Sequence, residues 1–215
     1  MCGIVGAVGL AGCSDTLLDS LKRLEYRGYD SSGIVTHQDG QFSMNRAVGK
    51  LVNLQAVMTE RPLTGTAGIG HTRWATHGGV SERNAHPHVA NEKVAIVHNG
   101  IIENHAALRQ EMEAKGHVFS SETDSEVLAH LFKNAFDRGL SPRDAGRDVI
   151  ARIEGTFGFA ALHADYPDMM IVARNASPLA VGLGDGASFV GSDAAALAHL
   201  TRNIIYLKDF DRSEE

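Results

Sequence analysis

The sequence is short of most features that give a protein away. Its 215 residues include two cysteines, too few for a disulfide framework or a cysteine-based structural zinc site. Five prolines, with no low-complexity tract, leave no linker to divide the chain. Basic residues number 20 against 26 acidic ones, a net charge of −6, and no basic run occurs. That balance argues against nucleic acid and anionic membrane as partners. No apolar stretch approaches the roughly 20 residues of a transmembrane helix. The apolar start MCGIVGAVGLAGC also lacks a secretory signal's basic n-region, because the first Lys or Arg is Lys22. Leu10-Ala11-Gly12-Cys13 therefore imitates a lipoprotein cleavage box without its context, and Cys2 stands where myristoylation needs glycine. The expectation is a soluble, cytoplasmic, single-domain protein with reduced thiols. A chain of this size buries roughly 70% of its unfolded surface, enough for a core without staples.

Periodicity then supplies the elements. Residues 3–8 read as a buried strand, which gives the start of the chain a task beyond fraying. Residues 14–27 read as a helix with Ser14 as N-cap and Leu17, Leu18, Leu21 and Leu24 on one face. Strands over 32–38 and 41–48 meet at Asp39-Gly40, a hairpin signal. A short helix over 51–59 precedes strands at 67–74 and 93–102, separated by a polar, turn-rich stretch over 76–91. Residues 104–115 form a helix closed by Gly116. Thr123 and Glu126 make a capping box for a helix running to about Arg138. Ser141-Pro142 opens another that ends near Gly155. Strands at 157–163, 169–173, 179–183 and 188–191, a small helix at 193–200 and a strand at 204–207 complete the chain. Hairpin-like succession with helices grouped in the middle argues for α+β with antiparallel sheets. Roughly nine strands fit two stacked sheets flanked by helices.

Cys2 is the first candidate for chemistry. With Met1 removed, one residue carries a thiol and a free α-amine, which titrate near ~8.5 and ~7.7–8.0. The amine can take the thiol proton, so the nucleophile brings its own base. Taken alone, Cys2 reads more readily as a small buried apolar residue. Cys13, in a glycine loop, has no such partner and reads as structural. The segment HTRWATHGG at 71–79 runs from a strand end into a flexible loop. There Arg73 suits bidentate capture of a carboxylate, or is a surface charge. Trp74, the one tryptophan, is a lid or a core aromatic. His98-Asn99-Gly100 interrupts an apolar strand. It is either a tight turn or a close backbone approach, where the Asn99 amide and the Gly100 N–H form an oxyanion hole. In Glu122-Thr123-Asp124-Ser125-Glu126, Asp124 has no necessary capping role and is free to accept an α-ammonium group, although the helix dipole alone favours acid there. Metal chemistry is not expected: no HExxH pair occurs among the 11 histidines, and His86-Pro87-His88 on a turn is weak evidence for zinc.

Together these residues describe an amino-acid amide substrate, and the pattern has a family likeness. Met1-Cys2-Gly3-Ile4-Val5-Gly6 resembles the opening of the class II, or N-terminal nucleophile, glutamine amidotransferases. The segments RLEYRGYDS at 23–31, HTRWATHG at 71–78, NAHPH at 84–88, VHNGIIEN at 97–104 and ETD at 122–124 are similar to the hexosamine-forming branch of that family. The likeness covers essentially the whole chain. It implies a four-layer αββα sandwich of two antiparallel sheets, the N-terminal nucleophile hydrolase fold, and no cofactor. L-glutamine would be cleaved to glutamate and ammonia by Cys2, with Asn99 and Gly100 as the oxyanion hole. Arg73 would hold the glutamine carboxylate and Asp124 its α-amino group. Thr76 and His77 would belong to a closing loop with Trp74 as part of its gate. His86 would lie near the pocket, and Arg27 and Gly28 would pack beside the N-terminus. The resemblance also implies a partner that this sequence lacks. Residues 1–215, with their polar tail at 209–215, read as a glutaminase domain without the sugar-phosphate isomerase domain that accepts the ammonia to make glucosamine-6-phosphate from fructose-6-phosphate. The full-length form is expected to be a homo-oligomer and the isolated domain a monomer. A glutaminase with another acceptor, and a non-catalytic glutamine-binding module that keeps Met1, are the competing readings.

Overall fold

The computed structural model describes residues 2–209; Met1, whose removal the expected role of Cys2 requires, and the tail at 210–215 lie outside the described residues. The strands are β1 (Gly3–Val8), β2 (Ser31–Gln38), β3 (Gln41–Val48), β4 (Ala67–Arg73), β5 (His88–Ala90), β6 (Val94–Ile102), β7 (Gly155–His163), β8 (Ile171–Asn175), β9 (Ala180–Leu183), β10 (Ser188–Gly191) and β11 (Asn203–Tyr206). The helices are α1 (Cys13–Lys22), α2 (Leu51–Glu60), α3 (His105–Ala114), α4 (Glu126–Asp137) and α5 (Pro142–Ile150). One sheet has the order β11-β9-β10-β1-β4-β2-β3 and the other β5-β6-β7-β8. Neighbouring strands in both are antiparallel.

Alternation along the strands makes the layers. In β1, Val5 and Ala7 face the core under α1 and α2, whereas Ile4 and Val8 face the other sheet. In β6, Val94 and Ile96 pack under α3, α4 and α5, whereas Ala95 and Val97 meet Ile4, Val35 and Ile69 between the sheets. Each sheet is thus apolar on both faces, and the helices cover the two outer ones. The result is the four-layer α+β sandwich expected from the sequence.

Several boundaries differ from expectation for local reasons. Helix α1 begins after Gly12, which lies at φ 64°, and Ser14 does not cap it. The Ser14 hydroxyl donates instead to the Leu63 carbonyl at 2.8 Å. That helix stops at Lys22, and Glu25–Arg27 is a separate 3₁₀ turn. Helix α5 has the Ser141 cap but ends at Ile150, because Gly155 already opens β7. The small helix expected at 193–200 is one 3₁₀ turn, Ala194–Ala196, capped by Asp193. Strand β5 falls inside the stretch read as turn-rich.

The capping box at Thr123 and Glu126 does not form. Thr123 Oγ1 pairs with His88 Nε2 at 2.9 Å. The Glu126 carboxylate reaches further back and accepts from the N–H and hydroxyl groups of Ser120 and Ser121. Burial opposes ionisation of Glu126, but those donors and His130 Nε2, 3.7 Å away, hold the acid well below the usual carboxylate range. A carboxyl depressed in the folded state stabilises above its unfolded value, near ~4.3. It loses that contribution as pH falls towards its folded value. Urea unfolding of Glu126→Gln is expected to show a loss of about 1–3 kcal/mol at neutral pH. The variant should also decline less steeply than the parent below about pH 5; parallel curves would remove Glu126 from the acid response.

Candidate active site

Strand order brings the start of the chain to the end of β4. Gly3 pairs with Thr72 across the β1–β4 ladder, so Cys2 lies beside Arg73 and Trp74. The Trp74 N–H donates to Cys2 Sγ at 3.1 Å. The Cys2 carbonyl accepts from Asn99 Nδ2 at 3.0 Å and from Arg27 Nε at 3.2 Å. Arg27 is itself braced by Asp193, whose carboxylate lies 3.3 Å from its guanidinium. Gly28 permits this arrangement, since a Cβ there would stand 2.8 Å from the Arg73 carbonyl carbon. Burial pushes the half-buried Cys2 thiol above its ordinary value, and the Trp74 hydrogen bond pulls it part of the way back. Cys13 sits in the core beneath α1, with its thiol pushed up to about 11 by burial.

Asn99 and Gly100 lie within β6, not in a turn, and the β6–β7 register passes through them without a bulge. Close backbone approach is what calls for glycine: Gly100 has φ 133°, and a Cβ would lie 2.0 Å from the Thr156 carbonyl oxygen. The Asn99 side chain bridges both sheets. Its Nδ2 faces Cys2, and its Oδ1 lies 2.9 Å from His71 Nε2 on β4.

Two buried charges stand across the same cavity. Arg73 is 3% exposed and donates to the carbonyls of His77 at 2.5 Å and of Gly78 and Gly79 at 3.3 Å. It therefore organises the loop after β4 while it faces the pocket. Asp124, also 3% exposed, accepts the Ile102 N–H through Oδ2 at 2.9 Å, and its Oδ1 lies 3.9 Å from His77 Nδ1. The cavity has a volume of about 310 Å³ and is lined by Cys2, Arg27, Arg73, Trp74, Thr76, His77, His86, Asn99, Gly100 and Asp124, among others. Of the expected site residues, Gly28 alone is behind this wall. Trp74 is 48% exposed, with its ring edge-on to Tyr29 at 5.3 Å, so it is neither a core aromatic nor closed over the pocket. A larger depression of about 760 Å³ between α1, α2 and the 62–66 segment contains none of these residues.

Sequence reasoning missed the second layer of this site. His88 and His98 fasten the triplet 123–125 to the smaller sheet, through Thr123 Oγ1 at 2.9 Å and Ser125 Oγ at 2.8 Å. Asp30 accepts from the Ala75 N–H and so holds the loop after Trp74. His71 had appeared only as a letter in a motif. Period-2 alternation could have turned His98 and Ile96 to the same face, but nothing in the sequence announces a partner across two sheets. His86 and His88, weighed for zinc, are buried and in edge contact at 4.5 Å, and the His86 ring stacks on His71 at 4.2 Å. Among the described residues, no group of three or more His, Cys, Asp or Glu is arranged to hold a metal ion. No helix among them is long and apolar enough to cross a membrane.

Known proteins share this architecture and sequence. Residues 71–199 match a family described as glutamine amidotransferase domain. The chain is 54% identical over 98% of its length to a glutamine–fructose-6-phosphate aminotransferase (isomerizing) of Mesorhizobium japonicum. It is 54% identical over its whole length to the protein of that name from Gluconobacter oxydans. It spans 35% of each of these relatives, about a third of their length. Among solved structures, the glutamine phosphoribosylpyrophosphate amidotransferase from B. subtilis, complexed with ADP and GMP, superposes with a TM-score of 0.78 at 26% identity. That match covers 95% of this chain and 44% of the other. A structure described as the allosteric regulatory enzyme of purine biosynthesis gives a TM-score of 0.80, also at 26% identity, over 96% of this chain and 44% of the other. With Cys2, Asn99, Arg73 and Asp124 around one cavity on this fold, the chain belongs to the glutamine amidotransferase domain family.

Proposed function

We propose that this chain hydrolyses the side-chain amide of L-glutamine to glutamate and ammonia, with Cys2 as nucleophile. The observation that carries the reading is the placement of a buried Arg73 and a buried Asp124 on the walls of the cavity that holds the Cys2 thiol. An α-amino acid presents a carboxylate and an ammonium, and these two side chains complement them. Its side-chain amide can then reach the thiol. With Met1 removed, the Cys2 amine takes the thiol proton as sulfur attacks the amide carbon. Charge collects on the amide oxygen, where Asn99 Nδ2 and the Gly100 N–H receive it. The C–N bond breaks, the Cys2 ammonium protonates the leaving nitrogen, and ammonia departs from a γ-glutamyl thioester. Water then cleaves the thioester, giving glutamate and restoring the thiol. A thiol held above its ordinary value suits this order, since it stays protonated until the amine accepts its proton in the attack.

The relatives support a reading of the acceptor. The 54% identity to enzymes named for fructose-6-phosphate, against 26% to the phosphoribosylpyrophosphate enzyme, favours fructose-6-phosphate over phosphoribosylpyrophosphate as the acceptor. On this reading residues 1–215 are the glutaminase domain of a longer cytoplasmic homo-oligomeric enzyme. Its sugar-phosphate isomerase domain uses the ammonia to turn fructose-6-phosphate into glucosamine-6-phosphate. Thr76, His77 and Trp74 close over glutamine, His86 borders it, and Arg27 and Gly28 hold the Cys2 segment.

A glutaminase assay paired with intact mass analysis tests the core of this reading. Turnover is expected only in molecules that have lost Met1; a Met1-bearing preparation with full turnover would remove the amine as base. Cys2→Ala should still bind glutamine but make no ammonia. Asn99→Ala should lower kcat by about 10²–10³ with little change in KM, and an unchanged kcat would take Asn99 out of the oxyanion hole. For the substrate ends, Arg73→Lys and Asp124→Asn are each expected to raise KM by about 10–100-fold, the worth of a charge-assisted hydrogen bond. A KM that stays put in both would assign the two charges to architecture alone.

A further inference from the structure

One buried contact does more than pack the sheets together. The Cys2 carbonyl oxygen can only accept a hydrogen bond, so the Asn99 atom 3.0 Å from it must be the amide nitrogen. The other end of the Asn99 amide is then its oxygen, which also only accepts, and it faces His71 Nε2 at 2.9 Å. A second acceptor, the His98 carbonyl oxygen, stands 3.1 Å from the same nitrogen. Two acceptors on one ring nitrogen require that Nε2 carries the hydrogen. His71 Nδ1 has no hydrogen-bond partner among the described residues, and the His86 ring stacks on the face of the imidazole. The ring is fully buried, and Arg73 lies close enough in the same strand to disfavour a second positive charge.

We propose that His71 is the positioning residue for the oxyanion hole: its Nε2–H, on β4, fixes the orientation of the Asn99 amide on β6 so that Nδ2 faces the reacting carbonyl. The proposal rests on the glutaminase reading above. An asparagine amide is nearly symmetric in shape, and sterics alone do not choose between its two ends. If the amide turned over, an oxygen would face both the Cys2 carbonyl and the developing oxyanion, and stabilisation would become repulsion. The His71 N–H removes that alternative, because it would then oppose an NH₂ group. Burial, which pushes the imidazole down to about 3, keeps the donor neutral throughout the physiological range. His71 contributes direction and no titration.

The tautomer can be read in the unaltered protein. Histidine labelled with ¹⁵N should show His71 protonated at Nε2 and bare at Nδ1 from about pH 5 to pH 8. A Nδ1–H tautomer or an imidazolium there overturns the proposal whatever any variant does. Two amide variants add a functional readout. The Gln amide nitrogen of His71→Gln reaches the Nε2 position, whereas that of His71→Asn falls one methylene short, near Nδ1. The first should keep kcat within about threefold of the parent. The second should lose about 10–100-fold in kcat, with KM and the affinity for glutamate little changed. Affinity for glutamate γ-semialdehyde, whose adduct with a thiol puts an oxyanion in the hole, should fall with kcat in His71→Asn. A purely structural role for His71 predicts instead that glutamate and the aldehyde weaken together, and that result overturns the assignment. In the Asn99→Ala background, His71→Asn should cost no further activity; an additional loss would mean that His71 acts by another route. If Asn99→Ala alone leaves kcat unchanged while the Nε2–H tautomer is present, the oxyanion reading has failed and the tautomer has not.

Discussion

Everything at this site depends on how the Cys2 carbonyl is held. A residue next to the chain terminus would ordinarily fray, yet this carbonyl accepts from Asn99 on the facing sheet and from Arg27 on the turn after α1. The Trp74 N–H fixes the sulfur of the same residue. Three donors from three separated segments thus converge on one residue. Each bond is worth only about 0.5–1.5 kcal/mol net, but they act in different directions and define a position together. They also couple Cys2 to the proposed oxyanion hole, because the Asn99 amide that holds the Cys2 carbonyl is part of it.

That arrangement explains the two-sheet architecture better than stability does. Asn99 can reach Cys2 only if β6 packs across β1 and β4, and the layer between them is filled by small and branched residues: Ile4, Val35, Ile69, Ala95, Val97 and Ala160. Imidazoles and an amide span the gap towards the site end, where apolar packing gives way to His71, His86 and Asn99. Close backbone packing is what requires glycine at Gly100, since a Cβ there would stand 2.0 Å from the Thr156 carbonyl oxygen.

How much of this was legible in the sequence divides along a physical line. Strands β1, β3 and β10 fall at their expected limits because period-2 alternation and the Asp39-Gly40 turn are local signals. Two stacked sheets flanked by helices followed from strand count and helix grouping, the four-layer αββα order from the family resemblance, and the Cys2, Arg73, Asn99 and Asp124 set, which lines one cavity, from chemistry that needs particular side chains. What failed was capping. Ser14 and Thr123 have the right letters for N-caps, but each finds a tertiary partner, Leu63 and His88, that local rules cannot foresee. Strand β5 was hidden because three residues carry too little periodicity to announce themselves. The hydrogen-bonded histidines were hidden for a different reason. His71 is an ordinary strand residue until the two sheets are stacked, and His98 until residues 123–125 close over its sheet.

The same histidines settle how charge is distributed around the pocket. His71, His86, His88 and His98 are all buried, and desolvation is the leading cause that lowers each of them, with His71 and His88 near about 3. Ionising one would place a cation in low dielectric beside Arg73, which costs several kcal/mol. Around neutral pH they are therefore uncharged, with His71, His88 and His98 hydrogen-bonded and His86 stacked, and the buried charges on the cavity wall are Arg73 and Asp124 together with Arg27, which Asp193 offsets. Arg73 and Asp124 sum to zero while remaining apart, which is the electrostatic complement of a zwitterion and a poor one for a lone anion or cation. A neutral imidazole layer thus leaves that charge balance undisturbed. It gives the protein rigid hydrogen-bonding geometry without adding a charge that would bias the site towards one end of the amino acid.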